Sequence, residues 1–246
     1  MGRNYTIPHT HSMKTSEKNC RAVENLLSEN NAYLERFKQH PLFQKLLNFK
    51  KLSAKQQEIF LTFKELFAAE FQTIVYTRRA MTHDELHKKM SAQHLKEEIG
   101  HDEMISAQLS PERTIMRDPI IDAISTWFIH KMIVLDNIEK MALMHLVLET
   151  SGDFFYPWAY QQGIFSGNSV ECYIKLHVEA DEKHSAIDIE LLKDHSPSTY
   201  QRLHTVIERG WVMMEEMLHR VLFLINKNSV CDKKYEIVSD DITVVF

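Results

Sequence analysis

The chain has 246 residues, of which 44% are apolar, which is enough for one sizeable core without a second domain. Its formal charge of −5 argues against a nucleic-acid-binding protein, because such proteins usually carry a basic surplus. The 3 cysteines are far apart and form neither a disulfide framework nor a zinc-binding pattern, so a cytoplasmic protein is expected.

The first half of the chain is expected to be helical. Only 6 glycines and 6 prolines interrupt the sequence, which favours long helices over many short strands. Residues 1–14 are polar and are expected to form a flexible leader. A first helix is predicted to start near residues 15–17, a short helix after Pro41, and a long amphipathic helix after Ser53. The next helix is predicted to run from about Thr82 to Leu109.

The second half continues in the same way. A helix is predicted from about Pro119 to Ile133, and Asp136 is expected to open another with a kink near Gly152 or Pro157. Residues 167–169 precede a further helix, and Ser198 or Thr199 is expected to open the last one. Residues 15–226 are therefore predicted to form one all-α domain of about seven or eight helices, and residues 227–246 an extended or disordered tail. No apolar run reaches the roughly 18 residues that a membrane span needs.

Three metal-binding residue types recur along one predicted helix. His177, Asp181 and His184 form an H-x-x-x-D-x-x-H string. At about 100° per residue these side chains fall within an arc of about 60°, so they reach the same side of the helix. Two neutral imidazoles and one carboxylate on one face make a half-site for iron, manganese or zinc.

The other half of a metal site is also visible. Glu98 and His101 are spaced i, i+3 in an earlier predicted helix, and Glu149 stands alone in an apolar run. Together with the late string this makes three carboxylates and three histidines on three helices. Such a mixed set suits two ions better than one, and iron or manganese better than zinc.

Each half has an ordinary structural explanation as well. The segment around Glu98 has the composition of a solvated helix face, and Glu97 is an alternative ligand at i, i+4 from His101. A buried Glu149 needs a cation, which a metal or an Arg or Lys side chain would provide. His94 repeats the spacing of the late string when it is read with Glu98 and His101, and it is either a neighbour of the metal site or a core histidine.

Two rival interpretations stay open at this point. A ferritin-like diiron protein would use Glu98-x-x-His101 with Glu216-x-x-His219, leaving His177 and Asp181 without a role. A metal-free helical protein that binds a small molecule or a partner would use the same residues in salt bridges.

The arrangement of an early Glu-x-x-His, a lone middle Glu and a late His-x-x-x-Asp-x-x-His resembles the haem-oxygenase-like diiron oxidases and oxygenases. That superfamily of iron-containing redox enzymes shares its fold with the TenA-type thiaminases and the coenzyme PQQ synthase. Its diiron members include a fatty-acid decarboxylase, several N-oxygenases and a protein implicated in p-aminobenzoate synthesis. The resemblance implies a single haem-oxygenase-like helical bundle.

The resemblance also implies roles for particular residues. It implies a metal-ligand set with a bridging Glu149, in which Glu98 is preferred to Glu97, and it implies Tyr173 as a residue near the metals. This ligand set consists of Glu98, His101, Glu149, His177, Asp181 and His184. Ala159 and Leu148 replace a lysine and a tyrosine of the p-aminobenzoate-forming member, which counts against that activity.

The resemblance implies two iron ions, with manganese as the alternative, and dioxygen as co-substrate. The expected reaction is the oxidation of a small organic molecule at carbon or nitrogen, or oxidative carbon–carbon cleavage. An external electron donor and a homodimer are compatible with this interpretation, whereas nucleic acid is not an expected partner.

Overall fold

The protein was analysed as a computed structural model, which describes residues 10–113, 117–180 and 189–228. Throughout these ranges the secondary structure is helical, without strands, as the sequence predicts. Most of the predicted tail and residues 1–9 of the predicted leader lie outside the described residues. None of the helices in the described ranges is both long enough and apolar enough to cross a membrane.

Ten α-helices follow one another along the described chain. Two of the predicted long helices are each divided into neighbouring segments, which explains why the number exceeds the expected seven or eight. The helices are α1 (Thr10–Lys38), α2 (Pro41–Leu46), α3 (Ala54–Ala80), α4 (Glu85–Glu98), α5 (His101–Gln108), α6 (Pro119–Val134), α7 (Asn137–Ala142), α8 (Thr150–Gln161), α9 (Glu171–Ala180) and α10 (Pro197–Lys227).

Side-chain caps fix where several helices begin. Ser53 and Asp136 each form a capping box, in which the cap side chain and the third helical residue satisfy each other's backbone N–H groups. Asp118 caps α6 ahead of Pro119, a residue whose missing N–H costs nothing at a first helical position. The last helix begins slightly earlier than predicted, because Ser196 rather than Ser198 or Thr199 accepts the N–H of its first turn.

The predicted helix between Thr82 and Leu109 is interrupted. Ile99 is extended and Gly100 has φ +89°, a conformation that glycine adopts without the steric cost of a Cβ atom. Glu98 therefore ends α4 and His101 begins α5. The backbone N–H of Gly100 is satisfied by Gln72 Oε1 of α3 at 3.1 Å, so this break is held against the neighbouring helix.

The helix that carries Glu149 contains a π-helical turn, Leu143–Glu149, between α7 and α8. All seven of its residues are buried. The Thr150 hydroxyl donates to the His145 carbonyl at 2.8 Å, which satisfies an oxygen in the widened turn. Such turns are rare and occur frequently at functional sites, and this one ends on Glu149.

Helices α3 and α10 form the centre of the bundle. Helix α3 packs against α4, α5, α6 and α10, while α10 packs against α1 and the π-helical turn as well. Polar contacts fix α10 at two points: buried Trp211 donates to Asn30 at 2.8 Å, and Arg220 forms a two-pronged ion pair with Asp118. These contacts fix the position of α10, the helix on which the π-helical turn with Glu149 packs.

The contact between α10 and the π-helical turn depends on Gly210. A Cβ atom at this position would lie 2.6 Å from Leu143 Cδ1 and 3.1 Å from Val147 Cγ2. We expect Gly210→Ala to lower the free energy of unfolding by about 1–3 kcal/mol, measured by urea denaturation, because the well-packed core must shift.

Gly152→Ala is the matched control, since Gly152 is also helical but its added Cβ would meet only Tyr156 at 3.5 Å. That variant should gain roughly 0.4–1 kcal/mol through the reduced entropy of the unfolded chain. Equal effects of the two substitutions would contradict this account of the α10 contact.

Candidate metal centre

The break at Gly100 brings three potential metal ligands together. Donor atoms of Glu98, His101 and His177 all lie within 4.8 Å of one another. Glu98 is 5% exposed and His177 is 7% exposed, so the group lies below the surface. His101 Nδ1 lies 3.1 Å from Glu98 Oε2, and the rings of His101 and His177 are 4.8 Å apart. This group joins the α4–α5 junction to α9.

The protonation of His177 suits metal binding. Its Nδ1 donates to the Tyr173 carbonyl at 2.9 Å, which leaves the lone pair of Nε2 available. Burial lowers the pKa of His177 to about 4, against the opposing effect of the Tyr173 hydrogen bond. The ring is therefore neutral near pH 7, the form in which histidine binds a metal.

A second group contains Glu149. Donor atoms of His94, Glu98 and Glu149 again lie within 4.8 Å of one another, and all three residues are buried. Glu98 thus belongs to both groups. His94 Nε2 lies 2.6 Å from Glu149 Oε1, which connects α4 to the end of the π-helical turn.

Arg78 determines the tautomer of His94. Its Nη1 lies 3.1 Å from His94 Nδ1, and because a guanidinium only donates, Nδ1 must accept. The proton of the neutral ring is then on Nε2, which donates to Glu149. Burial lowers the pKa of Arg78 to about 10, while Glu149 opposes this shift, so Arg78 remains charged at neutral pH. In this structure His94 orients Glu149 rather than offering a lone pair.

The structure brings four of the six sequence-predicted ligands together: Glu98, His101, Glu149 and His177. Asp181 and His184 lie outside the described residues. Of the two candidate glutamates, Glu98 faces both donor groups, whereas Glu97 is hydrogen-bonded to the exposed Gln93.

The residues that a ferritin-like site would add are placed differently. The Glu216 and His219 side chains are 62% and 55% exposed, and they lie outside both donor groups. The His219 ring instead packs against His40 at 4.4 Å. A site built from Glu98-x-x-His101 and Glu216-x-x-His219 is therefore not formed.

Two tyrosines adjoin His177. Tyr173 is 2% exposed, and its ring lies 4.3 Å from that of His177. Tyr156 also stacks on the histidine ring at 4.2 Å, and the two tyrosine hydroxyls are 3.3 Å apart. Tyr173 is thus adjacent to the candidate centre, as its expected role requires, and its carbonyl also fixes the orientation of the His177 ring.

A largely apolar cavity opens beside the two donor groups. The volume open to the centre of a water molecule is about 90 Å³, which leaves room for a small molecule. Both donor groups contribute to its wall through Glu98, His101, Glu149 and His177. Side chains from α2, α3, α8 and α10 line most of the remainder.

Sequence reasoning missed three polar residues around the ligands: Arg78, Lys64 and Gln72. A signal existed for Lys64, which is one turn from Phe60 and Phe67 and so shares the apolar face of α3. The partner of Arg78 had no local signal, because His94 lies in another helix.

Sequence comparison finds a relative but no matching family model. No protein-family model matches the chain. An uncharacterized protein of Rickettsia prowazekii (strain Madrid E) is 27% identical over 199 residues, covering 81% of this chain and 94% of the relative.

Solved structures match over most of the chain. A TenA homologue from Pseudomonas syringae pv. tomato aligns with a TM-score of 0.69 at 15% identity, covering 81% of this chain and 92% of that one. A domain of unknown function with a heme oxygenase-like fold from Shewanella denitrificans gives 0.61 at 13% identity, covering 86% and 95%. A TenA homologue from Pyrococcus furiosus gives 0.58 at 15% identity, covering 81% and 99%.

These similarities show that the protein has the haem-oxygenase-like, TenA-like fold. The all-α fold class and the haem-oxygenase-like architecture predicted from the sequence are confirmed.

The link from Arg78 through His94 to Glu149 leads to a stability prediction. We expect Arg78→Met to lower the free energy of unfolding by about 3–5 kcal/mol, because it leaves a buried carboxylate without its compensating charge. In a Glu149→Gln background the same substitution should cost clearly less. Chemical denaturation of the two single variants and the double variant measures the difference.

Arg79→Met provides the control, since Arg79 is the next residue along the helix and is only partly buried. Its effect should stay within about 0.5 kcal/mol. If Arg78→Met were equally costly with and without the Glu149 carboxylate, the proposed compensation would be wrong.

Proposed function

We propose that the protein is a non-haem diiron oxidase or oxygenase that uses dioxygen to oxidise a small organic molecule. The observation that carries this proposal is the shared position of Glu98 in two buried donor groups. Carboxylates that lie between two ions are a general feature of diiron helical proteins. The resemblance of the sequence to haem-oxygenase-like diiron enzymes supports the same conclusion.

The chemistry of the donors fits iron, with manganese as the alternative. Imidazole nitrogen combined with carboxylate oxygen suits these metals, and none of the described donors is a thiolate. Glu98, His101 and His177 would hold one ion, and Glu98 with Glu149 would hold the other. Asp181 and His184 are proposed to complete the set, as the resemblance implies.

A pair of ferrous ions would supply the electrons with which dioxygen is reduced. The surrounding residues of this chain have other tasks. The Tyr173 carbonyl accepts a hydrogen bond from His177 Nδ1, which leaves Nε2 of that ring to face the centre. His94 holds a proton on Nε2 and directs it at Glu149, which fixes that carboxylate. The apolar wall limits access of water and positions the substrate.

Tyr173 is the proposed catalytic residue. Its hydroxyl contacts that of Tyr156, and both rings pack on His177. Tyrosine hydroxyls at this position are able to exchange a proton with a substrate in the cavity.

Iron stoichiometry after anaerobic ferrous loading tests the proposal. We expect about two irons per chain in the wild type, as for a two-metal site. Glu98→Gln should lose most of both, since its carboxylate serves both donor groups. Loading should also raise the melting temperature of the wild type, because an ion that binds only the folded state stabilises it.

Glu97→Gln is the matched control, because Glu97 is the adjacent glutamate and lies outside both donor groups. It should bind iron and consume oxygen like the wild type in an oxygen-electrode assay. Equal iron content in the Glu98→Gln and Glu97→Gln proteins would contradict the proposed centre.

A second function is favoured by one observation. Arg78 already compensates Glu149 through His94 without any ion, an arrangement that suits a metal-free small-molecule-binding or TenA-like protein. On this account ferrous loading would leave the melting temperature unchanged, and the Glu98→Gln and wild-type proteins would bind the same small molecules.

A further inference from the structure

One cationic side chain, that of Lys64, lines the cavity in the described part of the chain. Its Nζ lies 4.5 Å from the Phe155 ring centre and 4.8 Å from that of Tyr156. The Phe67 ring is 5.8 Å away. The only hydrogen bond it makes to a described residue is a long one, 3.4 Å, to the Tyr156 hydroxyl. None of the described carboxylates forms an ion pair with it.

Such an environment is unfavourable for an ammonium group. Three aromatic faces attract a cation, but they replace only part of its lost hydration. Burial lowers the pKa of Lys64 to about 7, which reflects this loss. An anion entering the cavity would restore the balance by giving Nζ a charged acceptor.

Lys64 is also close to the candidate metal centre. Lys64 lines the same cavity as Glu98, His101 and His177. The ring that stacks on His177, Tyr156, is the same residue that accepts the hydrogen bond from Lys64. An anionic group held by Lys64 would therefore lie beside the donor groups rather than at the cavity mouth.

The rest of the cavity wall is mostly apolar, which indicates the chemistry of the rest of such a ligand. Apolar side chains line it, including Leu42 and Leu46 of α2 and Met214 and Leu218 of α10. A second polar donor is present: Gln72 is 7% exposed, and its Nε2 is buried without a hydrogen-bond partner among the residues that the structure describes. Donors facing an apolar space favour a ligand with acceptor oxygens at one end and a hydrocarbon body.

We propose that the cavity binds a small monocarboxylic acid with an apolar body, and that Lys64 holds its carboxylate together with the Tyr156 hydroxyl. That the bound acid is a substrate rests on the proposed function. The carboxylate end of the molecule, with the carbon atoms next to it, would then be the part nearest to the candidate metal centre.

Binding of acids and their neutral amides to the full-length protein, freed of metal with a chelator, tests this proposal. Calorimetric titration with octanoate against octanamide, and with 3-phenylpropanoate against 3-phenylpropanamide, isolates the contribution of the carboxylate. We expect the wild type to bind at least one acid on the order of tenfold more tightly than its amide, as a charge-assisted hydrogen bond implies.

Lys64→Met should reduce this preference to within about twofold while keeping amide binding, because methionine retains the apolar stem without the charge. Lys55→Met is the control on the same helix, since Lys55 is exposed and pairs with Glu58. It should keep the full preference. Lys64→Met should melt at or above the wild-type temperature, because a desolvated cation is removed.

No preference for either acid in the wild type would overturn the proposal, and so would a preference that survives Lys64→Met. These results do not depend on iron. An acid preference in a protein that takes up no iron would retain the anion site and reject the oxidase. Iron uptake without an acid preference would retain the metal centre and reject the anion site.

Discussion

The structure depends on burying two carboxylates, Glu98 and Glu149, within a helical bundle. Removing a carboxylate from water costs several kcal/mol unless charge and hydrogen bonds compensate it. Arg78 supplies one positive charge near Glu149. It donates a hydrogen bond to His94, and His94 in turn donates one to Glu149. Glu98 lies in both donor groups, and this shared position is the observation that favours the proposed metal centre over a purely structural polar core.

The helices are shaped to serve this cluster. The break at Gly100 separates α4 from α5, so that Glu98 and His101 converge from a helix end and a helix start. The π-helical turn ends on Glu149, and α10 packs closely against it because Gly210 has no side chain. The rings of Tyr156 and Tyr173 both pack on His177. The irregular backbone thus occurs where it orients candidate ligands, and the regular helices packed against it provide the support.

Much of this could be predicted from the sequence, because local patterns carry it. The Ser53 and Asp136 caps and the apolar periodicity give the helices, and the Glu-x-x-His spacing gives Glu98 with His101. The break at Gly100 was missed because a lone glycine is tolerated in a helix. Arg78 and Lys64 were missed for another reason: their roles come from contacts between helices, with His94 and with Tyr156, which no local pattern encodes. Asp181 and His184 stay predictions.

Anomalous diffraction at the iron edge, on crystals loaded with ferrous iron, tests the central claim most directly. The account predicts two anomalous peaks roughly 3.5–4 Å apart, as in two-metal sites, with the Glu98 carboxylate between them. One peak should adjoin His101 and His177, and the other Glu149. A single peak away from Glu98, or none in a protein whose Arg78–His94–Glu149 contacts are unchanged, would contradict it and leave the buried carboxylates with a structural role.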